Sequence, residues 1–479
     1  MQMSPSRMYD RFVAGDPEYN GRFFTGVLTT GIYCIPSCKA RKPKPGNVRF
    51  FPTCEAARSA GFRACRKCHP DDFARGADPV LESIETLVAE VRAAPENFPN
   101  AQAVVRRSGF GATRLFELVR LHFHTTPADL LLRARIDAVK RGLLSTSATL
   151  ARIAGDAGFE SLSVLHEHFH ETNGLTPAAY RGLRKATAFT VALPDDYPRA
   201  YFLRSLGRDP HSLTERLDGG VYSTLLPGPD RPSLLTLRLA DGGIQVETSP
   251  GSGPEAHALV AGLLGLEQRA CAFARLAGRL GLGRLVAGRT GLRLPQTPSV
   301  FDALVWSIIG QQIHFKFACM LRRRLIERIG TASVGSLHLS PSPAEVAGLE
   351  PSDLLPLQFS RQKADYLIGA ARLVAEGKLD LAALRTQSAT RVGRTLLGIR
   401  GLGPWSVNYL MMRSLGFPDC VPLGDTGVTS GLQALLMLEE RPDIDATRRL
   451  MAVFSPYRSL ATAHLWQFDR PKPEEPSPS

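Results

Sequence analysis

Apolar and polar positions change rhythm along this chain. From Glu82 to about Lys185 apolar residues recur at spacings of three and four with no strand alternation, which predicts a small all-helical unit. From about Phe189, runs such as SLLTLRLA and GGIQVETS alternate, with the turn-rich PGPDRPS and SPGSGPEA between them, and predict a β-containing piece. Beyond about Glu255 helical patterns return and persist to Phe468. The remaining N-terminal block is Cys-rich and ends near Asp72, followed by FARGADPVLE, a short polar stretch suited to a linker. The final PKPEEPSPS, rich in proline and charge, is expected to be disordered. The boundaries expected are therefore 1–75, 80–186, 187–295, 296–470 and a tail 471–479, and the only repeat suggested is a duplication inside the second domain.

The length, 479 residues, agrees with several domains at roughly 100–200 residues each. No apolar run approaches the roughly 18–20 residues of a membrane span. The opening MQMSPSRMYDRF has no apolar core after its basic residue, so a secretory signal is not expected and the expected compartment is the cytoplasm. The net charge of +13 favours a polyanionic partner, for which nucleic acid is the commonest choice.

Five of the eight cysteines lie between Tyr33 and His69. Under reducing conditions clustered cysteines are more often metal ligands than disulfides. Cys34-x3-Cys38 and Cys65-x2-Cys68 are two close pairs joined by a loop of 26 residues, the pattern a tetrahedral four-thiolate zinc site needs. Cys54 has no close partner and His69 adjoins Cys68, so neither is expected in the set. A zinc that only staples a small domain explains the spacing equally well. Charge adds to this: residues 1–75 hold thirteen Lys/Arg against six Asp/Glu around a cluster of formal charge −2. Methylation of one thiolate would reduce that charge and let DNA phosphates approach, which is the behaviour of a chemical sensor.

The motifs TTGIYCIPSCKARKPKPGNVRFF and AGFRACRKC resemble the N-terminal domain of the Ada family over essentially the whole first domain. The resemblance implies that Cys34, Cys38, Cys65 and Cys68 hold zinc and that Cys34 accepts a methyl group, irreversibly, from a methylphosphotriester in DNA. Where that family commonly has Arg after the acceptor, this chain has Ile35.

In the helical unit, LARIAGDAGFESLSVLHEHFHETNGLTPAAYR reads as helix, turn and a second helix from about Ser161 to Thr172. Leu162, Leu165 and Phe169 are expected as its apolar stripe, leaving Ser163, Val164, Glu167 and His168 outward, and Ser161, Ser163, Glu167 and His168 as candidate DNA contacts. This segment resembles the second motif of AraC-type regulators, and RRSGFGATRLFELVRLHFHTTPADLL the first. That implies a double helix-turn-helix with two recognition helices, on which Glu117 and Glu167 stand where many such proteins have Arg. His166 and His170 share a face but have no third ligand nearby. A helical spacer is the bland alternative.

The C-terminal half contains LLGIRGLGPWSVNYLMMRSLGFPDCVPLGDTGV. Gly401 and Gly403 form a hairpin between two apolar helical runs, and backbone N–H groups at such a turn bind a phosphate, often through a bound monovalent cation. The full apolar-x-G-x-G-x-W pattern followed by Asp425 resembles the AlkA family of alkylpurine DNA glycosylases, from about Phe189 to Phe468. This implies a β-containing subdomain and a helix-hairpin-helix core, with Asp425 as the catalytic carboxylate. A carboxylate there stabilises the sugar cation that forms as an alkylated base leaves. Trp405 and Tyr409, four apart on a helix, can stack on an electron-poor base. The resemblance further places Tyr457 as a second pocket aromatic and Gln312 as the side chain that fills the flipped base's gap. It also puts Trp405 where related lyases have a Schiff-base lysine, so a monofunctional enzyme is expected.

The expected whole is a multidomain α+β protein. It would be a zinc-dependent methylphosphotriester acceptor, a DNA-3-methyladenine glycosylase and a methylation-dependent activator, acting on double-stranded DNA and RNA polymerase as a nucleoid-associated bacterial monomer. No alkylguanine transfer is expected, because a P-C-H-R motif is absent. One rival is a transcription factor whose glycosylase-like half only binds DNA; another is a repair enzyme whose zinc merely targets it.

Overall fold

The computed structural model describes residues 3–16, 19–75, 78–228 and 231–468. The tail 471–479 and part of the expected linker, Gly76 and Ala77, lie outside them. The chain divides into two compact units, Met1–Leu87 and Val88–Ser479.

The first unit is a small α/β domain. Its helix α1 (Pro5–Ala14) starts at Ser4, whose side chain accepts from the Arg7 N–H, and stops at Gly15 with φ 65°. Strands β1 (Phe24–Val27), β2 (Ile32–Cys34), β3 (Val48–Phe51) and β4 (Arg63–Ala64) form a sheet of order β3-β1-β2-β4. All pairs are antiparallel except β2 with β4. Gly26 in β1 is required by packing, since a Cβ there would stand 2.8 Å from both the Phe51 and Phe62 rings. Helices α2 (Cys54–Ser59) and α3 (Pro70–Ala74) complete the unit around Phe24, Tyr33, Ile35, Phe51 and Ala57. Phe73 and Ala74, within the stretch expected as linker, belong to α3.

Helix α4 (Pro79–Ala93) leads into the second unit, which begins all-helical: α5 (Ala101–Ser108), α6 (Ala112–Phe123), α7 (Pro127–Ser145), α8 (Leu150–Asp156), α9 (Leu162–Asn173) and α10 (Pro177–Gly182). Thr126, Thr149, Ser161 and Thr176 each cap a helix with a side-chain oxygen. Leu165 and Phe169 of α9 are fully buried, but Leu162, expected on the same stripe, is 42% exposed. Leu162 is the first residue of α9 and projects from its open first turn.

Five antiparallel strands follow, β5 (Ala188–Ala192), β6 (Glu215–Asp218), β7 (Val221–Leu226), β8 (Ser233–Ala240) and β9 (Gly243–Glu247), in the order β5-β9-β8-β7-β6. In β8 the buried Leu235 and Leu237 alternate with the exposed Leu234 and Arg238, the period-two pattern of a one-sided sheet. The buried face packs on α11 (Arg199–Leu206) and α12 (Gly253–Leu264). The remainder is helical: α13 (Ala270–Arg279), α14 (Val300–Ile309), α15 (Phe315–Ile329), α16 (Pro343–Ala347), α17 (Pro351–Leu354), α18 (Arg361–Ala375), α19 (Ala389–Leu397), α20 (Pro404–Arg413), α21 (Thr426–Leu436), α22 (Ile444–Ala452) and α23 (Arg458–Gln467). A two-strand hairpin, Ser333–Val334 with Leu337–His338, interrupts it. No helix among the described residues is long and apolar enough to cross a membrane.

Candidate functional site

The metal centre is assembled by the sheet of the first unit. Cys34 ends β2, Cys38 follows a turn closed by its own N–H on the Ile35 carbonyl at 3.1 Å, and Cys65 follows β4 with its N–H on the Tyr33 carbonyl at 3.0 Å. Parallel pairing of β2 with β4 thereby brings the two cysteine pairs together. The four sulfurs lie within 4.8 Å of one another, with Cys38 Sγ and Cys65 Sγ 4.0 Å apart. A tetrahedral zinc with bonds of about 2.3 Å sets its sulfurs roughly 3.8 Å apart, so this cage fits one zinc ion held by four cysteines. Cys34, Cys38 and Cys65 are buried and Cys68 is half-buried.

Lys42 donates to the carbonyls of Pro36 at 3.1 Å and Cys38 at 2.8 Å, which fixes the turn. Burial pushes its ammonium below the ordinary value, while the negative sulfurs beside it oppose that change. Cys54 stands apart, its Sγ donating to the Pro70 carbonyl at 3.4 Å. Burial, then Asp71, pushes its thiol up to about 11. His69 is also outside the cage, at φ 44° with Nδ1 3.5 Å from Asp72. Ile35 is buried in the core, so its side chain makes no surface for phosphate.

The second site surrounds Asp425, the N-cap of α21. Its Oδ1 accepts from the Val428 N–H at 3.0 Å and from the Trp466 indole N–H at 2.8 Å, and its Oδ2 accepts from the Trp405 indole N–H at 3.2 Å. Trp405 and Tyr409 on α20 stack, with centroids 5.1 Å apart and planes at 13°, and Tyr409 lies 6.4 Å from Trp466. A half-buried carboxylate thus sits on a wall of three aromatic rings. Two glycines one turn apart on α21 allow this. A Cβ on Gly427 would stand 2.7 Å from Trp466 Cδ1 and 3.1 Å from Asp425 Oδ1, and one on Gly431 would stand 2.6 Å from the Leu465 carbonyl. The chain entering Asp425 is held by a bidentate pair, Arg458 Nε to Asp419 Oδ1 at 2.7 Å and Nη2 to Oδ2 at 3.0 Å. Burial alone would raise the Asp419 carboxyl, but Arg458 holds it below the ordinary carboxylate range.

Between α19 and α20 runs the hairpin 398–403. Gly401 has φ 96°, and a side chain there would enter the Tyr366 ring. Gly403 is the exposed N-cap of α20 and has no capping side chain, so backbone N–H groups open toward solvent. Gln311 donates to the Gly401 carbonyl at 2.8 Å and joins this hairpin to the turn after α14. In that turn Gln312 is exposed at φ 56°. Lys363 Nζ reaches the carbonyls of Ile308, Ile309 and Gln311 at 3.2, 2.8 and 2.6 Å and fixes the turn from beneath.

The structure therefore brings Asp425, Trp405 and Tyr409 together and places Gly401, Gly403 and Gln312 on adjoining turns. Tyr457 packs on the same apolar cluster as Trp466, beside Val428 and Leu465. It precedes α23 and lines a cavity of about 330 Å³ shared with Phe417 and with His124 of the helical region. Trp466, near the end of α23, is a further aromatic beside Asp425. Spacing in sequence gave no reason to single it out, although the G-x-x-x-G of α21 signals a close helix crossing. In α9, Ser161 caps the helix, Ser163 and Glu167 are exposed and His168 is half-buried, 3.7 Å from Glu171. His166 and His170 are exposed, and among the described residues only the four cysteines form a metal-holding group.

A four-cysteine zinc domain, a helix-turn-helix region and a helix-hairpin-helix core in one chain define a DNA-directed repair architecture. Family models agree in order: the metal binding domain of Ada matches residues 7–71, a helix-turn-helix domain 104–182, and the HhH-GPD superfamily of base excision DNA repair proteins 305–456. The chain has the make-up of an Ada/AlkA fusion. It is 28% identical to a protein of Mycobacterium tuberculosis named "Probable bifunctional transcriptional activator/DNA repair enzyme AlkA", over 96% of this chain and 95% of that one. It is 33% identical to a DNA-3-methyladenine glycosylase of Bacillus subtilis over 37% of this chain and 59% of that protein. Among solved structures, the 3-methyladenine DNA-glycosylase of Archaeoglobus fulgidus shares the fold of the C-terminal half, with a TM-score of 0.50, 17% identity, and coverage of 59% of this chain and 97% of that one.

Proposed function

We propose that this chain is a bifunctional DNA alkylation repair protein and transcriptional regulator that excises alkylated purines and transfers methyl groups from DNA phosphotriesters to itself. The observation that carries the reading is Asp425, an acceptor-only carboxylate held by two indole N–H groups beside stacked Trp405 and Tyr409. A purine alkylated on a ring nitrogen is cationic and leaves readily. Its flipped ring stacks on the aromatic wall by cation–π attraction. As the N-glycosyl bond breaks, its electron pair goes to the base and positive charge develops on the sugar. Asp425 stabilises that charge, after which water adds to the anomeric carbon and gives up a proton. With Trp405 in place of a Schiff-base lysine, the product is an abasic site without strand cleavage. The Gly401–Gly403 hairpin grips a phosphate and Gln312 fills the gap left by the base.

At the other centre the Cys34 sulfur forms a bond to the methyl carbon while the carbon–oxygen bond of the methylphosphotriester breaks. The leaving oxygen keeps the electron pair as an ordinary phosphodiester. Bound zinc keeps its sulfur ligands deprotonated at neutral pH. The product is a thioether that does not turn over, and the lost negative charge lets this basic domain hold DNA more closely. That form activates alkylation-response genes through the helix-turn-helix region and RNA polymerase.

Two assays test this. Incubation with N-methylated duplex DNA should release free 3-methyladenine and leave strands that break only after alkali; immediate strand breakage would refute the monofunctional assignment. After incubation with methylphosphotriester DNA, mass analysis should find one methyl group on the Cys34 peptide. A methyl on the half-buried Cys68 instead would overturn Cys34 as the acceptor.

A further inference from the structure

The two helix-turn-helix segments present matching faces. Counted from its N-cap, Gly111 in α6 and Ser161 in α9, each second helix buries a leucine at the fourth position, Leu115 and Leu165. Each exposes a glutamate at the sixth, Glu117 and Glu167. Exposed apolar and small side chains lie beside the glutamates, Phe116 at 45%, Leu162 at 42% and Val164 at 44% with Thr113 and Ser163, and Glu167 is also flanked by the exposed His166 and His170. Arg114, the one Lys or Arg in the first two turns of either helix, donates to Glu117 at 3.3 Å. In the last turn of α6 His122 and Phe123 are buried, with His122 Nδ1 2.9 Å from Thr390 Oγ1 of α19, while Leu121 is exposed. The first two turns of α6, with exposed Thr113, Phe116 and Glu117, are the turns a recognition helix offers to base edges.

We propose that Glu117 and Glu167 read cytosine in the major groove, so that this protein recognises pyrimidine-rich sites with one cytosine under each helix. The inference rests on the reading of this chain as a sequence-specific regulator. An ionised carboxylate only accepts hydrogen bonds. Among bases viewed from the major groove, guanine shows two acceptors and thymine an acceptor and a methyl group. Adenine offers an amino group, but its N7 lone pair lies beside it and repels a carboxylate. Cytosine alone offers an amino group, N4, with no acceptor on its own major-groove edge. The exposed Leu162, Val164 and Phe116 match thymine methyl groups at neighbouring pairs.

The test is selection from random duplex DNA by the full zinc-loaded chain, as purified and after reaction with methylphosphotriester DNA, in wild type, Glu167→Gln and Glu117→Gln forms. Both positions are exposed, so the substitutions leave the core intact. Wild type should enrich sites with two cytosines, and replacing either should weaken binding about tenfold. Each glutamine variant should shift its own position from cytosine to adenine, whose N6/N7 edge suits an amide. Enriched sites that are unchanged in the variants would overturn the cytosine readout while leaving the regulator intact. No enrichment by any form, treated or untreated, would overturn both.

Discussion

Asp425→Asn removes one charge and reverses one hydrogen bond, and the structure lets the two effects be separated. Both carboxylate oxygens accept N–H groups, Oδ1 from Val428 and Trp466 and Oδ2 from Trp405. An asparagine has only one oxygen. Turning it toward Val428 and Trp466 keeps two bonds but points its NH₂ at the Trp405 indole N–H, donor against donor. One unsatisfied donor costs about 1–3 kcal/mol, and for domains of this size each kcal/mol lowers the melting temperature by about 2–4 °C. The site is half-buried, so the lower end applies. The lost charge matters more for rate: a carboxylate about 4 Å from a sugar cation, at an effective dielectric of about 20, contributes about 4 kcal/mol. That is about a thousandfold in rate. Single-turnover release of 3-methyladenine, measured well below the melting transition and normalised to folded protein, should therefore fall about three orders of magnitude while melting shifts by only a few degrees. Release within threefold of wild type would refute the assignment of Asp425.

Gly427→Ala should lower base release at least tenfold by driving Trp466 away from the carboxylate, and unaltered single-turnover rates would contradict the close crossing of α21 and α23. Chelating zinc should abolish cooperative melting of the first unit, because a structural four-thiolate site contributes about 10–16 kcal/mol; calorimetry with and without chelator checks this. Burial holds His124 and His257 neutral down to about pH 4 and His464 to about pH 3, against 6.5 for an exposed imidazole. The unfolded chain therefore binds protons first, so stability is complete above pH 6.5 and is lost as pH falls toward 4, by about 1.4 kcal/mol per histidine per pH unit. A melting temperature of the second unit that stays constant from pH 7 to 4.5 would contradict this.

Strands β8 and β9 and helix α9 were legible because one face of each is buried, and burial leaves a period in the sequence. The metal centre was legible because its ligands come as two close pairs. Leu162 misled because helical periodicity assumes a full-length interface, whereas the first turn of α9 lies beyond the core it packs on. Trp466 could not be found by spacing, since its partner Asp425 is 41 residues away and only the crossing of two helices unites them. The hairpin Ser333–His338 is too short to show a period.

Gly427 and Gly431 have a consequence for how this site can diversify. The distance between the carboxylate and its indole partner is governed by side chains that are missing, so any larger residue on that face of α21 acts as a spacer. Variation is then left to Tyr409 of α20, whose ring stacks on Trp405 without bonding the carboxylate. The anchoring of the carboxylate has no such latitude, and its freedom to drift ends at the width of one methyl group.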